Sequence, residues 1–130
     1  MVEGDWSADS GDKVMRKLFE TVPQLDAAFA SNDQMALGAL GVLHQMGRRV
    51  PKEVAVVDFD NIPDSACFYP PLTTVNQPLG DLGNLGIQKL EQLINAARCG
   101  EDGVEMNTTL LPTQLVVRQS TRIDKNVMGW

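Results

Sequence analysis

Two amino-terminal segments of the chain place apolar residues at helical spacing. The first begins at Ser7, a typical helix N-cap residue, and ends before Pro23. The second begins at Asn32 and Asp33, whose side chains can cap a helix, and stops at Gly47. The second segment is apolar on more than one face, so we expect a sheet on one side and another surface, such as a partner subunit, on the other. The apolar stripe of the first segment consists of Val14, Met15, Leu18 and Phe19.

A third helix is predicted from about Leu79 to Arg98, and it would be about 30 Å long at about 1.5 Å per residue. One face of this segment is apolar throughout. The residues on that face are Leu79, Leu82, Gly86, Leu90, Leu93, Ile94 and Ala97. The sequence therefore predicts a helix that needs a surface to pack against.

Short apolar segments lie between and after these helices, at residues 26–31, 54–59 and 72–75, with further strand pieces at 110–112 and 114–118. The run at 54–59 is rich in valine, which is typical of a central strand of a parallel sheet. Alternation of such strands with helices predicts an α/β layer fold with a parallel sheet.

Length, charge and cysteine content exclude several classes of protein. The 130 residues fit one domain, and 11 basic against 17 acidic residues give a net charge of −6, which does not suit a free-standing DNA-binding module. The amino terminus lacks a secretory pattern, and no apolar run approaches the roughly 20 residues needed to cross a bilayer. We therefore expect a cytoplasmic protein without membrane contact. Cys67 and Cys99 lack metal-ligand spacing, and a disulfide between them stays open.

The candidate chemistry points to binding rather than catalysis. We find no nucleophile elbow, phosphate-binding loop or metal cluster, so we predict no enzyme activity, no cofactor and no metal. Asn32 and Asp60 each follow a predicted strand, where ligands of open α/β sheets collect, although both side chains could simply cap local structure. Trp6, in a polar loop, could stack on a sugar ring or plug the edge of the core.

Five strings of residues resemble, in order, the effector-binding domain of the lactose repressor and its relatives. They cover residues 4–11, 30–39, 56–61, 70–77 and 115–121. The resemblance runs from about Glu3 to Thr121, and five ordered matches are far more specific than one. It implies the C-terminal lobe of a two-lobed sensor similar to periplasmic sugar-binding proteins, together with a crossover helix that lacks its N-terminal lobe.

By this resemblance, Trp6 would stack on a sugar, Asn32 and Asp60 would bind its hydroxyl groups, and Gln77 and Leu79 would lie beside it. Residues 1–78 and 108–122 would form the lobe. The crossover helix and its loop would be residues 79–107, and residues 123–130 would be a tail.

One departure from the family concerns Asp58, where the family usually has glycine. The aspartate could crowd the turn at the strand end or add a carboxylate near the pocket. A second departure is that the helix-turn-helix headpiece and most of the N-terminal lobe are missing before Glu3. We therefore expect weak or undetectable sugar binding, and contact with DNA only through that missing headpiece.

The resemblance also implies a homodimer. Its surface would consist of the helices that begin near Ala8 and Asp33 and the loop at residues 67–69. We expect the unpaired crossover helix either to fold back on its own sheet or to be exchanged between subunits. The resulting hypothesis is a fragment of a sugar-responsive transcriptional repressor. The alternatives are a standalone sugar-binding protein and a dimer-forming remnant that binds no ligand.

Overall fold

The computed structural model describes residues 1–100 and 107–121. The predicted tail at 123–130 and the centre of the predicted loop after Gly100 lie outside these residues. The elements in chain order are α1 (Ala8–Thr21), β1 (Ala27–Phe29), α2 (Asp33–Gln45), β2 (Ala55–Asp60), a short 3₁₀ helix (Pro63–Cys67), β3 (Thr73–Asn76), α3 (Leu79–Arg98) and β4 (Gln114–Val116). This alternation confirms the predicted α/β class.

The four strands form one sheet in the order β1, β2, β3, β4. The first three strands are parallel, and their register aligns Phe29 with Val57 and Asp58 with Thr74. β4 pairs antiparallel with β3. The strand predicted at 110–112 is wrong, because these residues form no strand. Pro112 has no backbone N–H to donate to a neighbouring strand, which argues against pairing there.

The hydrophobic core lies between α1, α2 and the sheet. Met15 and Phe19 of the predicted α1 stripe are buried in it, together with five residues of α2. Val54 and Val56 alternate inward from the second strand region, as expected for a strand with one face on the core. Leu72, just before β3, completes the buried set.

The two helices α1 and α2 approach each other at glycine positions. A Cβ atom built on Gly11 would lie 2.1 Å from the Met35 carbonyl oxygen, and one on Gly38 would lie 1.8 Å from the Ala8 carbonyl oxygen. Both distances are shorter than any real contact, so only glycine fits at these positions. α1 therefore covers an apolar face of α2, where the sequence predicted another surface such as a partner subunit.

The chain divides into two compact units, the first formed by residues 1–76 with the segment from 114, and the second by residues 77–113. Within the second unit, the Lys89 ammonium donates to the Asn107 carbonyl (2.6 Å) and to the Thr109 hydroxyl (2.7 Å). These bonds tie α3 to the segment that follows it.

No helix of the described residues has the length and apolarity required to span a bilayer.

Candidate functional site

The carboxyl ends of β1 and β2 lie at the same edge of the sheet, because these strands are parallel. The Ala30 N–H donates to the Val57 carbonyl (2.9 Å) and extends the pairing just past the end of β1. β2 ends in a turn in which Asp60 and Asn61 adopt positive φ angles of 123° and 61°. The left-handed region costs a non-glycine residue about 1–2 kcal/mol, so the rest of the structure must hold this turn in place.

Trp6 also has a left-handed backbone, with φ of 71°, and its side chain is 64% exposed. The loop that carries it is fixed by Asp5, whose carboxylate accepts the Ser7 N–H (3.1 Å), while the Asp5 N–H donates to the Ser10 hydroxyl (3.1 Å). Hydrogen bonds from Ser7 and then Ser10 lower the pKa of the Asp5 carboxyl below its ordinary value. Trp6 therefore presents its indole to solvent from a loop that is ordered by local hydrogen bonds.

Asn32 links the Trp6 loop to α2. Its amide oxygen accepts the Met35 N–H (3.0 Å) and caps the helix, and its amide nitrogen donates to the Trp6 carbonyl (3.0 Å). The capping role that the sequence left as an alternative is thus present. The amide nitrogen of Asn32 carries a second N–H, which neither of these two bonds uses. Capping therefore does not use all of the hydrogen-bonding capacity of the side chain.

The turn after β2 is tied to the start of α2 by the Ile62 N–H, which donates to the Asp33 carboxylate (3.2 Å). Asp33 adjoins Asn32, and Ile62 is two residues from Asp60. Trp6, Asn32 and Asp60 therefore border one edge of the first unit, which we call the strand-end rim. Asp60 is partly exposed there.

An open cavity of about 960 Å³ adjoins Trp6. Its walls include Ser31 and Met35 next to the strand-end rim, the carboxyl-terminal part of α1 around Leu18, and residues 1–4. The surface beside the indole is therefore concave, as small-molecule sites usually are.

The sequence model described as "Periplasmic binding protein-like domain" matches residues 2–121 of the chain. The chain belongs to this family. Its sequence and fold match the effector-binding domains of lactose-repressor-type regulators within that family.

Three relatives illustrate the similarity. The ribose operon repressor of Halalkalibacterium halodurans is 39% identical over 97% of this chain, which covers 37% of that repressor. The structure of the lac repressor dimer bound to operator and the anti-inducer ONPF superposes with a TM-score of 0.80 at 38% identity, over 92% of this chain and 40% of that one. The complex of the transcriptional regulator CelR with cellobiose superposes with a TM-score of 0.76 at 41% identity. This match covers 90% of this chain and 34% of the CelR chain. The chain thus spans between about a third and two fifths of these relatives.

Two of the predicted site residues belong to the second unit of this periplasmic binding protein-like chain. Gln77 precedes α3, and Leu79 is its first residue, with an exposed side chain; the Leu79 N–H donates to the Gln77 carbonyl (2.9 Å). Their contribution to a ligand site together with the strand-end rim stays a prediction.

Sequence reasoning missed a polar network behind the turn after β2. The Arg118 guanidinium donates to the Asn61 amide oxygen (2.7 Å) and to the Leu72 carbonyl (2.7 Å), and the Asn61 amide nitrogen donates to the Asn76 amide oxygen (2.9 Å). A third bond from the guanidinium reaches the Ser65 hydroxyl (3.2 Å). The polar residues directly after β2 and at the end of β3 were the only available signal, because the approach of Arg118 depends on the pairing of β4.

Asp58, which stands where the family usually has glycine, is a buried residue in the structure. The side chain is fully buried behind the strand-end rim, so it neither opens into the cavity next to Trp6 nor replaces Asp60 at the surface. Burial raises the pKa of the Asp58 carboxyl to about 7; a Thr74 contact opposes this shift, whereas Asp33 and then Asp60 add to it.

Proposed function

We propose that the chain is the sugar-sensing and dimer-forming part of a bacterial transcriptional repressor of the lactose-repressor type, located in the cytoplasm. The observation that carries this proposal is the strand-end rim, where an exposed indole adjoins the polar residues after two parallel strands. The names of relatives support the sugar class, since one is a ribose operon repressor and another was solved with cellobiose.

The rim offers the groups that bind a carbohydrate. A flat indole can cover the apolar face of a sugar ring. The Asp60 carboxylate accepts hydrogen bonds from hydroxyl groups, and charge-assisted bonds of this kind are about twice as strong as neutral ones. Trp6, Asp60 and Asn61 all have left-handed backbones, and such conformations concentrate at ligand sites, where the surrounding structure maintains them.

A binding role is favoured over catalysis. The named relatives are repressors or regulators of transcription rather than enzymes. In the described part of the chain, no group of three or more His, Cys, Asp or Glu side chains could hold a metal ion.

The dimer belongs to the same proposal. Leu37 and Met46 on and just after α2 are exposed, and Tyr69 is 88% exposed in the loop that the family resemblance assigns to the dimer surface. A cavity of about 360 Å³ lies between this loop and the end of α2, lined among others by Leu40 and His44. Exchange of α3 between subunits is an additional form that the dimer could take, since its Leu82 and Leu90 side chains are exposed.

Titration calorimetry with ribose, lactose and cellobiose tests the sugar-sensing role. We expect at least one sugar to bind with a Kd in the millimolar range, which is a binding free energy of about −4 kcal/mol. The binding should be weak because the chain supplies only some of the residues that would surround the sugar. Trp6→Ala and Asp60→Asn should each abolish the heat of binding. Tyr69→Ala removes an exposed aromatic ring near the opposite edge of the sheet and should leave binding unchanged.

Absence of binding for all three sugars at tens of millimolar would favour a dimer-forming remnant and contradict the proposal. Hydrolysis of lactose or cellobiose that is abolished by Asp60→Asn would instead indicate an enzyme. Equal loss of binding in Tyr69→Ala would move the site away from the strand-end rim.

A further inference from the structure

Two buried carboxyl groups, Asp58 and Asp33, interact with each other behind the strand-end rim. Asp58 is on the inward face of β2, in alternation with Val56, and its relative exposure is 0%. Asp33 is the first residue of α2 and is 1% exposed. Thr74 is aligned with Asp58 on the neighbouring strand and is also fully buried. Because Thr74 and Asp33 both act on the Asp58 carboxyl, the three buried side chains form one polar cluster.

Most oxygen atoms of this cluster lack a hydrogen-bond partner among the described residues. One Asp33 oxygen accepts the Ile62 N–H (3.2 Å). The other Asp33 oxygen, both Asp58 oxygens and the Thr74 hydroxyl make no hydrogen bond to any residue that the structure describes. Ionised carboxylates only accept hydrogen bonds, so two of them face to face cannot satisfy each other. A proton on one of the two carboxyl groups turns that group into a donor.

The charges around Asp58 favour the neutral form of that carboxyl. α2 contributes the Asp33 carboxylate, β2 itself contributes Asp60, and β3 contributes only the Thr74 hydroxyl. On the other side of β2, the residue next to Asp58 is Ala30, which directly follows β1 and has no charge. Burial and these two acidic neighbours raise the pKa of Asp58 to about 7.

Asp33 occupies a position that favours a negative charge. It is in the first turn of α2, where the helix dipole favours a negative charge, and its carboxylate accepts the Ile62 N–H. The proton therefore resides on Asp58, which can donate it to the free oxygen of Asp33.

We propose that Asp58 and Asp33 form an acid pair that holds one proton between them at neutral pH, and that loss of this proton to solvent at higher pH weakens the junction between β2 and the start of α2. The pair acts as a pH-sensitive element built into the first unit. It does not depend on the identity of any ligand.

Carbon-13 NMR of the aspartate carboxyl groups tests the shared proton directly. We expect one resonance to titrate with a midpoint near neutral pH, and this resonance to be absent in Asp58→Asn. In Asp33→Asn the midpoint should fall, because the neighbouring negative charge is removed. Asp64→Asn, at an exposed position, is the matched control and should leave the midpoint unchanged. Titration of every aspartate below about pH 5 in the unaltered chain would overturn the proposal, even if a variant fails to fold.

Unfolding as a function of pH gives a second readout. Between about pH 4 and 7 the folded chain holds a proton that the unfolded chain releases, so stability falls as the pH rises. Relative to Asp58→Asn, the unfolding constant of the unaltered chain should increase by up to about tenfold per pH unit in this window. Identical pH dependence of the two proteins would contradict the proposal. The proposal would also be overturned if Na⁺ or Ca²⁺ restored the stability of the unaltered chain at pH 8 but had no such effect on Asp58→Asn. The two carboxyl groups would then bind a cation rather than share a proton.

Discussion

Asn32 illustrates how far a single residue could be interpreted from the sequence. Its position after an apolar strand and before an apolar helix predicted either a ligand contact or a helix cap. The structure contains the cap and adds a bond to the Trp6 carbonyl that local sequence could not reveal, since the two residues are 26 positions apart. Asp58 was harder to predict, because its burial depends on which face of β2 packs against α2.

Removal of the Asn32 amide should destabilise the chain in two separable steps. Asn32→Ala loses the cap and the bond to Trp6, and we expect a loss of about 1–2 kcal/mol in the free energy of unfolding. Asn32→Ser keeps a capping oxygen but lacks the amide donor, so its loss should be smaller. Urea denaturation measures both values. Equal stability of Asn32→Ala and the unaltered chain would show that the link between the Trp6 loop and α2 contributes nothing to the free energy of unfolding.

Among the elements, the helices and the parallel strands were predictable, because their periodicity and their flanking Ser, Asn, Gly and Pro residues are local signals. β4 was expected only as a strand, and its antiparallel pairing depends on the path of the chain through the second unit. The segment at 110–112 has the apolar composition of a strand, but Leu110 is 89% exposed and pairs with no strand that the structure describes. The close contact between α1 and α2 was not predicted, since glycine in a helix gives no indication of its neighbours.

Two glycines of α2 provide a matched test of that contact. Gly38→Ala places a methyl group against the Ala8 carbonyl oxygen and should cost about 3 kcal/mol or more in the free energy of unfolding. Gly41→Ala, in the same helix, meets no atom within 4 Å and should be neutral or stabilise by up to about 1 kcal/mol. Thermal unfolding of the two variants compares them. Similar melting temperatures would contradict the close packing of α1 on α2.

For the whole molecule, the α/β class followed from the alternation of helices and strands, and the element order confirms it. The family followed from five ordered strings of residues, and the family match over residues 2–121 confirms it. The position of the strand-end rim followed from a general rule, because the carboxyl ends of parallel strands meet at one edge. The network of Arg118 and the acid pair of Asp33 and Asp58 depend on residues that are brought together only by the folded sheet. Both therefore lay beyond sequence reasoning.

Proton–nitrogen NMR of the chain, titrated in turn with ribose, lactose and cellobiose, tests the central claim most directly. For a sugar that binds, we expect the largest shift changes at the Trp6 indole N–H, the Asn32 side-chain amide and the backbone N–H groups of Asp60 and Asn61, with little change near Tyr69. A Trp130→Phe variant identifies the Trp6 indole signal. Shift changes centred elsewhere, or none with any of the three sugars, would contradict the account.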